Sequence, residues 1–340
     1  MPAYNYWGKL ICWMPKLSHE IWAVIVSLTA MVFLFFAQTT HFYSDAWAPA
    51  SCLLTGMHQY PPRHSISSVP DAGIVYLADF KGTERLEMLE NSIIALQRFF
   101  LSTFPYPVIL FYEPPRGFNL TEVMLRLERH SAHLHFHEIV GFRDIPDYLN
   151  ASEITTAEEY NKYGFRMGYM FMCRFWAHGV FQQEAMRQLR YYWRLDTDLT
   201  LLQPIMIDPF AYMQANDLSY LHGALSTEDR HVVIWLWGTV LRFMRDFDID
   251  LYRLQSYTNG NGDYNLLIFY NNFEVSRTRM WQTPLYSAFF TYLNRTGGIL
   301  QRRWGDAPIR TLALAALFPH AKVEQWRGLC YFHAVTQRTY

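Results

Sequence analysis

Tyr191-Tyr-Trp-Arg-Leu-Asp-Thr-Asp-Leu199 is the stretch from which the rest of this chain is best read. Its aromatic and branched residues suit a pleated, buried surface, so it reads as a strand. Strand alternation sends Tyr191, Trp193 and Leu195 to one side and Arg194, Asp196 and Asp198 to the other. Two carboxylates and a guanidinium then share a face where the strand should end. Open α/β sheets bind ligands at the carboxyl ends of their strands. Hard divalent cations prefer carboxylate oxygens and bridge to substrate phosphates. The Asp-x-Asp is therefore a candidate metal–diphosphate site. A solvated strand end with an Arg–Asp pair is the plainer reading of the same residues.

The elements around this strand have the order of an α/β protein. Ile74–Ala78 and Pro107–Tyr112 read as buried strands, and His135–Val140 as a third. Between the first two, Leu86, Leu89, Ile93, Leu96 and Phe100 recur at helical spacing over Glu84–Ser102. Strand, helix, strand predicts parallel pairing with right-handed crossovers. Asn161–Val180, Gln182–Leu189 and Pro209–Asn216 read as helices, Leu218–Leu221 as a strand and Thr227–Phe247 as one long helix. A turn-rich loop, Tyr257–Tyr264, precedes a strand at Leu266–Tyr270. No glycine-rich dinucleotide fingerprint and no internal repeat occurs.

With 340 residues the chain has ample length for a large core, and a net charge of −1 offers no electrostatic footprint for nucleic acid. Residues 21–38 carry no charge and would span about 27 Å as a helix, close to a thin bilayer. Lys9 and Lys16 precede this run, and no Lys or Arg follows until Arg63. The positive-inside bias then predicts a cytosolic tail (1–20), a signal anchor (21–38), a stem (39–72) and a lumenal domain (73–340). Sequons at Asn119, Asn150 and Asn294 permit a lumenal setting. Of four cysteines, Cys52, Cys173 and Cys330 follow the predicted anchor, so at most one bridge forms among them.

Three further polar groups stand out late in the chain. Glu274 lies among bulky apolar residues, where burial would raise its pKa and suit acid, base or nucleophilic work; an exposed acid at an element's edge is the alternative. Asp306, two residues before Pro308, reads as a helix N-cap. His333 in Cys330-Tyr-Phe-His333 is one of 13 histidines, and a lone His is more often structural than a ligand.

Taken together these segments resemble the fungal Golgi α-1,2-mannosyltransferase family of Ktr/Mnt type. Tyr169-Met-Phe-Met-Cys-Arg-Phe175 is similar to its Tyr-x-x-Met-Cys-Arg-Phe segment, and Tyr191–Asp198 to its Tyr-Tyr-Trp-Arg-Val-Glu-Pro-Asp core. Tyr212-Met-Gln214 also matches. Tyr264–Glu274 follows a Tyr-Asn-Leu-Cys-His-Phe-Trp-Ser-Asn-Phe-Glu pattern. Gly297-Gly298 followed by Arg303-Trp-Gly-Asp-Ala-Pro308 is the most specific match, and the landmarks run in the family's order.

The resemblance implies an α/β, glycosyltransferase-A-like mixed sheet flanked by helices, preceded by one transmembrane helix in a Golgi membrane. It implies a retaining transfer of mannose from GDP-mannose to a mannose-containing glycan acceptor, dependent on Mn²⁺. By position, Asp196 and His333 correspond to metal ligands, and Glu274 to the acid proposed as nucleophile or as support on the sugar's β face. Tyr169, Arg194, Asp198 and Asp306 fall in donor- or substrate-binding positions, with Glu228 on the acceptor side. The family's Glu-Pro has become Asp196-Thr197, one methylene shorter. Its Cys-His is Leu267-Ile268, so a disulfide using that Cys cannot form, and Cys173 is free or paired otherwise. Ala78-Asp79-Phe80 stands where the family has Ala-Arg-Asn, at a base contact. These departures leave two alternatives: the same fold with another nucleotide sugar or acceptor, and a non-catalytic Golgi-anchored sugar-binding protein.

Overall fold

Nearly continuous apolar runs form the parallel half of a sheet covered on both faces, as burial on two sides requires. The computed structural model describes residues 69, 71–80, 82–114, 119–149, 154, 167–326, 329–334 and 338–339. The predicted tail and anchor, nearly all of the stem, and the sequon at Asn150 lie outside them. Among the described residues, no helix is long and apolar enough to cross a membrane.

The chain opens with β1 (Ala72–Ala78), α1 (Thr83–Leu96) continuing as a π-helical turn (Gln97–Leu101), β2 (Val108–Tyr112), α2 (Leu120–Glu128) and β3 (Leu134–Glu138). Then follow α3 (Met167–Ala177), a 3₁₀ turn at Gly179–Gln182, α4 (Glu184–Arg187), β4 (Tyr191–Leu195), β5 (Leu199–Leu201) and α5 (Pro209–Ala215). The last part holds β6 (Tyr220–Thr227), α6 (Leu236–Asp246), β7 (Leu267–Arg277), α7 (Pro284–Arg295), α8 (Gly298–Arg302), α9 (Asp306–Leu317), β8 (Val323–Gln325), β9 (Tyr331–His333) and β10 (Arg338–Thr339).

Seven strands form one sheet in the order β3-β2-β1-β4-β7-β6-β8, and β10-β9-β5 form a small second one. Strands β3, β2, β1 and β4 pair in parallel, whereas β7 runs antiparallel to both β4 and β6. The sheet is mixed, as expected. The chain runs outward from β1 to β3 and then returns to place β4 on the other side of β1. That reversal is a topological switch point, and ligands of open sheets bind at the carboxyl ends of the strands flanking it, here β1 and β4, which lead into Asp79 and Asp196.

Two apolar layers sandwich the sheet. Tyr191, Trp193 and Leu195 pack with residues of α1 and α5, while Tyr192 packs on the opposite side with α3, α7 and α9. The predicted alternation along β4 therefore holds, and Arg194 faces the α3–α9 layer, its guanidinium 4.2 Å from the ring centre of Trp176.

Several boundaries differ from the sequence reading. Thr227–Phe247 is not one helix: β6 continues to Thr227, a 3₁₀ turn follows at Arg230–Val232, and α6 begins only at Leu236. Pairing with β7 keeps the first part extended, and Asp229 caps the turn by accepting from the His231 amide at 2.9 Å. The strand predicted at Leu266–Tyr270 runs on through Arg277, which takes Glu274 from an edge into the middle of the sheet. Asn161–Val180 is helical over Met167–Ala177 within the described residues. Of the sequons, Asn119 caps α2 and Asn294 is buried in α7, donating to the Tyr148 hydroxyl.

The connection from α7 to α9 has little freedom. Gly297 adopts φ 74°, a left-handed conformation that favours glycine, and at Gly298 a Cβ would fall inside the indole of Trp304. Trp304 is buried and its Nε1 donates to the Ile234 carbonyl at 2.8 Å, fixing the turn that leads into Asp306. Gly298→Ala should lower unfolding free energy by about 1–3 kcal/mol, the range for overpacking, as read by chemical denaturation. Wild-type stability in that variant would mean the Trp304 packing is loose.

Candidate metal and substrate site

Strand β4 ends at Leu195, and Asp196-Thr197-Asp198 forms the turn into β5, closed by the Leu199 amide donating to the Asp196 carbonyl at 3.1 Å. The third member comes from 135 residues downstream. β9 pairs antiparallel with β5, setting His333 opposite Leu199, and the Ala334 amide donates to the Asp198 carbonyl. His333 Nε2 lies 3.4 Å from Asp198 Oδ2 and 4.0 Å from Asp196 Oδ2. One donor atom from each of Asp196, Asp198 and His333 lies within 4.8 Å of the others. Two carboxylates and an imidazole suit a divalent ion such as Mn²⁺. Asp198, expected on the substrate side, thus joins Asp196 and His333.

Arg194 orients this turn from below. Its Nε and Nη2 donate to Asp196 Oδ1 at 3.1 and 3.0 Å, and its Nη1 pairs with Asp306 Oδ2. Asp306 Oδ2 also accepts from Asn271 Nδ2 at 2.8 Å. Burial works against the charge on Arg194, but Asp196 and Asp306 outweigh it and raise its pKa. Burial pushes Asp196 up to about 6; Arg194 opposes that shift and the neighbouring Asp198 adds to it. Asp306 is not the N-cap expected. Gly305 holds that position, and the Asp306 carboxylate, freed from capping, receives Arg194 instead.

The remaining predicted residues separate into two places. Glu228 follows β6, is half-buried, and accepts from the Asp229 amide at 3.0 Å; burial raises its pKa. A Cβ on Gly305 would lie 3.6 Å from Glu228 Oε2, so this carboxylate borders the turn carrying Asp306. Tyr169 on α3 lies beneath the Arg303 guanidinium, 4.7 Å from its ring centre, and burial raises its pKa. These two line the Asp306 side of the site.

Glu274 is elsewhere in character. It faces Arg194 in the β4–β7 register, but its side chain is fully enclosed. Tyr192 and Tyr220 hydroxyls donate to its two oxygens at 2.8 and 2.7 Å, and Arg310 Nη2 lies 3.1 Å from Oε1. Arg310 also donates to the Tyr192 hydroxyl, and its guanidinium stacks 4.1 Å from the Trp281 ring centre. Of the two readings the sequence allowed, an acid enclosed among apolar residues is the one found, not an exposed one at an element's edge. A nucleophile, however, needs an oxygen facing the reacting carbon, and both oxygens of Glu274 are engaged by core donors.

Arg310, Asn271, Tyr192 and Tyr220 were not singled out in the sequence. Arg310 had one available signal, since it lies four residues after Asp306 and so on the same helix face. The other three depend on strand pairing. Replacing Arg310 alone with Met should cost about 3–5 kcal/mol by leaving Glu274 buried without its cation; replacing Glu274 and Arg310 together with Met should recover most of that. Urea denaturation of the two variants checks this, and equal losses in the single and double variants would remove the ion pair from the account.

Known proteins show the family of this chain. A sequence profile described as glycolipid 2-alpha-mannosyltransferase matches residues 54–339. The glycolipid 2-alpha-mannosyltransferase of Saccharomyces cerevisiae is 29% identical over 260 residues, covering 74% of this chain and 58% of that protein. A probable mannosyltransferase of Candida albicans is 31% identical over 191 residues, covering 55% of this chain and 50% of that one. The chain thus spans about half the length of the relatives it matches. Among solved structures, core-mannan synthase A from Aspergillus fumigatus in its Mn/GDP form superposes with a TM-score of 0.71 at 25% identity, covering 80% of this chain and 77% of that one. The S. cerevisiae mannosyltransferase Ktr4p in complex with GDP gives 0.70 at 19% identity, over 83% and 78%, a likeness of fold. The fold is that of the glycosyltransferase-A-like mannosyltransferases. The matched stretch takes in every strand of both sheets together with Asp196, Asp198 and His333, and the chain belongs to the glycolipid 2-alpha-mannosyltransferase family.

Proposed function

We propose that this protein is a retaining α-mannosyltransferase that moves mannose from GDP-mannose to a hydroxyl of a mannoside acceptor, forming an α-1,2 linkage. The observation that carries this reading is the cluster of Asp196, Asp198 and His333 at the carboxyl end of β4, within 4.8 Å of one another. Its relatives support both linkage and donor: one is named for α-1,2 mannosyl transfer, and a fungal synthase of the same fold was solved with Mn and GDP. Mn²⁺ held by Asp196, Asp198 and His333 would supply charge neutralisation at the diphosphate leaving group.

The chain's own residues divide the remaining work. Arg194 holds Asp196 in one orientation and, being buried between two acids, stays charged. Tyr169 borders the donor sugar, Asp306 holds Arg194 from within, and Glu228 receives the acceptor hydroxyl. In the transfer, the acceptor oxygen bonds to C1 of mannose, the C1–phosphate oxygen bond breaks, and the acceptor's proton passes to the departing phosphate. This same-face route agrees with the enclosure of Glu274, which then acts as a fixed negative charge and anchor rather than as nucleophile. The uncharged run at 21–38, with Lys9 and Lys16 before it and no Lys or Arg after it until Arg63, supports a type II anchor in a Golgi membrane with the catalytic unit lumenal.

The test is the detergent-solubilised full chain with GDP-mannose, Mn²⁺ and methyl α-mannoside, with the product followed by NMR. An α-linked dimannoside formed only with metal is expected. Absence of product, with tight binding of a different nucleotide sugar, would move the donor assignment. Asp196→Asn and His333→Ala should each lower turnover at least about a hundredfold and abolish Mn²⁺ binding measured by calorimetry. Glu228→Gln should lower kcat by a similar factor if it handles the acceptor's hydroxyl, about a hundredfold; a change confined to KM would leave it a binding role.

A further inference from the structure

Trp235 occupies a position that stability alone would give to another residue. It is the N-cap of α6, where Asn, Asp, Ser or Gly is favoured, and its backbone has φ 67° and ψ −7°, the left-handed region. A bulky L-residue there is a true outlier, at a cost of about 1–2 kcal/mol. The indole gains little from burial in return, since the residue is 64% exposed. Backbone strain of this kind concentrates where a side chain must be aimed.

Its surroundings fix the turn that carries the ring. The Arg302 guanidinium stacks 3.5 Å from the ring centre, covering one face. The preceding Ile234 carbonyl receives Trp304 Nε1, and the following Leu236 is fully buried. Trp237 donates from Nε1 to the Gly262 carbonyl at 3.1 Å and stacks on Tyr264, tying the same turn to the 257–264 loop. The ring also lies next to the site. Consecutive Arg302 and Arg303 cover Trp235 and Tyr169 respectively, and Gly305, two residues on, borders Glu228.

We propose that Trp235 is a carbohydrate-stacking platform, an outer acceptor subsite whose open face takes a pyranose ring beyond the mannose that is attacked. The C–H face of a pyranose is apolar and matches the electron-rich face of an indole, while Arg302 beneath supplies donors for hydroxyls at the ring's rim. A flat, rigid, exposed indole beside a polar acceptor-side carboxylate suits a neutral, hydroxyl-rich oligosaccharide. The assignment rests on the acceptor reading given above.

The direct test uses the full chain in detergent with ¹⁵N-labelled tryptophan, identifying the Trp235 indole N–H by its loss in Trp235→Phe. Methyl α-mannoside, an α-mannobiose and an α-mannotriose are titrated in turn. The longer sugars should shift the Trp235 signal and the monosaccharide should not. In transfer assays, Trp235→Asn and Trp235→Gly should raise the ratio of KM for the trisaccharide to KM for the monosaccharide about tenfold, roughly 1.4 kcal/mol, and Trp235→Phe should restore most of it. Both variants relieve the left-handed backbone, so their Tm should equal or exceed that of the wild type. An unmoved indole signal, an unchanged KM ratio, or a fall in Tm in both variants would overturn the platform. Failure of the wild type to make any mannoside would refute the transferase reading, while the titration would still decide the subsite.

Discussion

Two buried ion pairs of opposite polarity hold this structure in register. Helix α9 presents Asp306 and Arg310 four residues apart, and the β4–β7 pair presents Arg194 and Glu274 directly opposite each other. Asp306 meets Arg194, and Arg310 meets Glu274. Four charges removed from water cost several kcal/mol each unless every one finds its counter-charge. A slip of α9 by one residue would break both pairs, and a slip of β7 by one residue against β4 would part Glu274 from Arg310. The arrangement therefore selects one docking of helix on sheet more sharply than apolar packing alone would.

The same lock reaches the surface through Arg194. One edge of its guanidinium is held by Asp306 and another by Asp196, so the orientation of the Asp196–Asp198 turn follows from that of α9. Trp176 stacked on the guanidinium and Asn271 on Asp306 close off competing geometries. What stands at the carboxyl end of β4 is a pair of carboxylates and an imidazole, the groups a divalent cation needs. What stays inside is the charge that supports them. Glu274 belongs to the inner set, which is why its enclosure speaks for a supporting role.

The Glu228 side of the site, proposed above for the acceptor, is built by different means. There the turn between β6 and α6 and the segment Arg302–Gly305 lean on each other through Trp304 and the Arg302–Trp235 stack. Rings and guanidinium planes do the positioning that ion pairs do on the metal side. The difference suits the function proposed above: a diphosphate and its cation would demand fixed charge, whereas a sugar chain would offer hydroxyls and apolar faces. Trp235, strained and exposed, is the residue where stability and this demand diverge most.

Much of this was legible in the residues alone. The alternation within Tyr191–Asp198 was enough to place Arg194 and the two aspartates on one face, because side-chain direction along a strand depends only on parity. The apolar runs of β1, β2 and β4 were enough to show a sheet buried on both sides. Tertiary structure decided what parity and local spacing do not encode. His333 reaches Asp198 only through the β5–β9 pairing, Glu274 becomes central only because β7 outlasts its apolar start, and Asp306 turns from a cap into a counter-ion because Arg194 arrives beside it. In each case the deciding partners are distant in sequence, and their arrival is set by which strands and helices can bury their faces together.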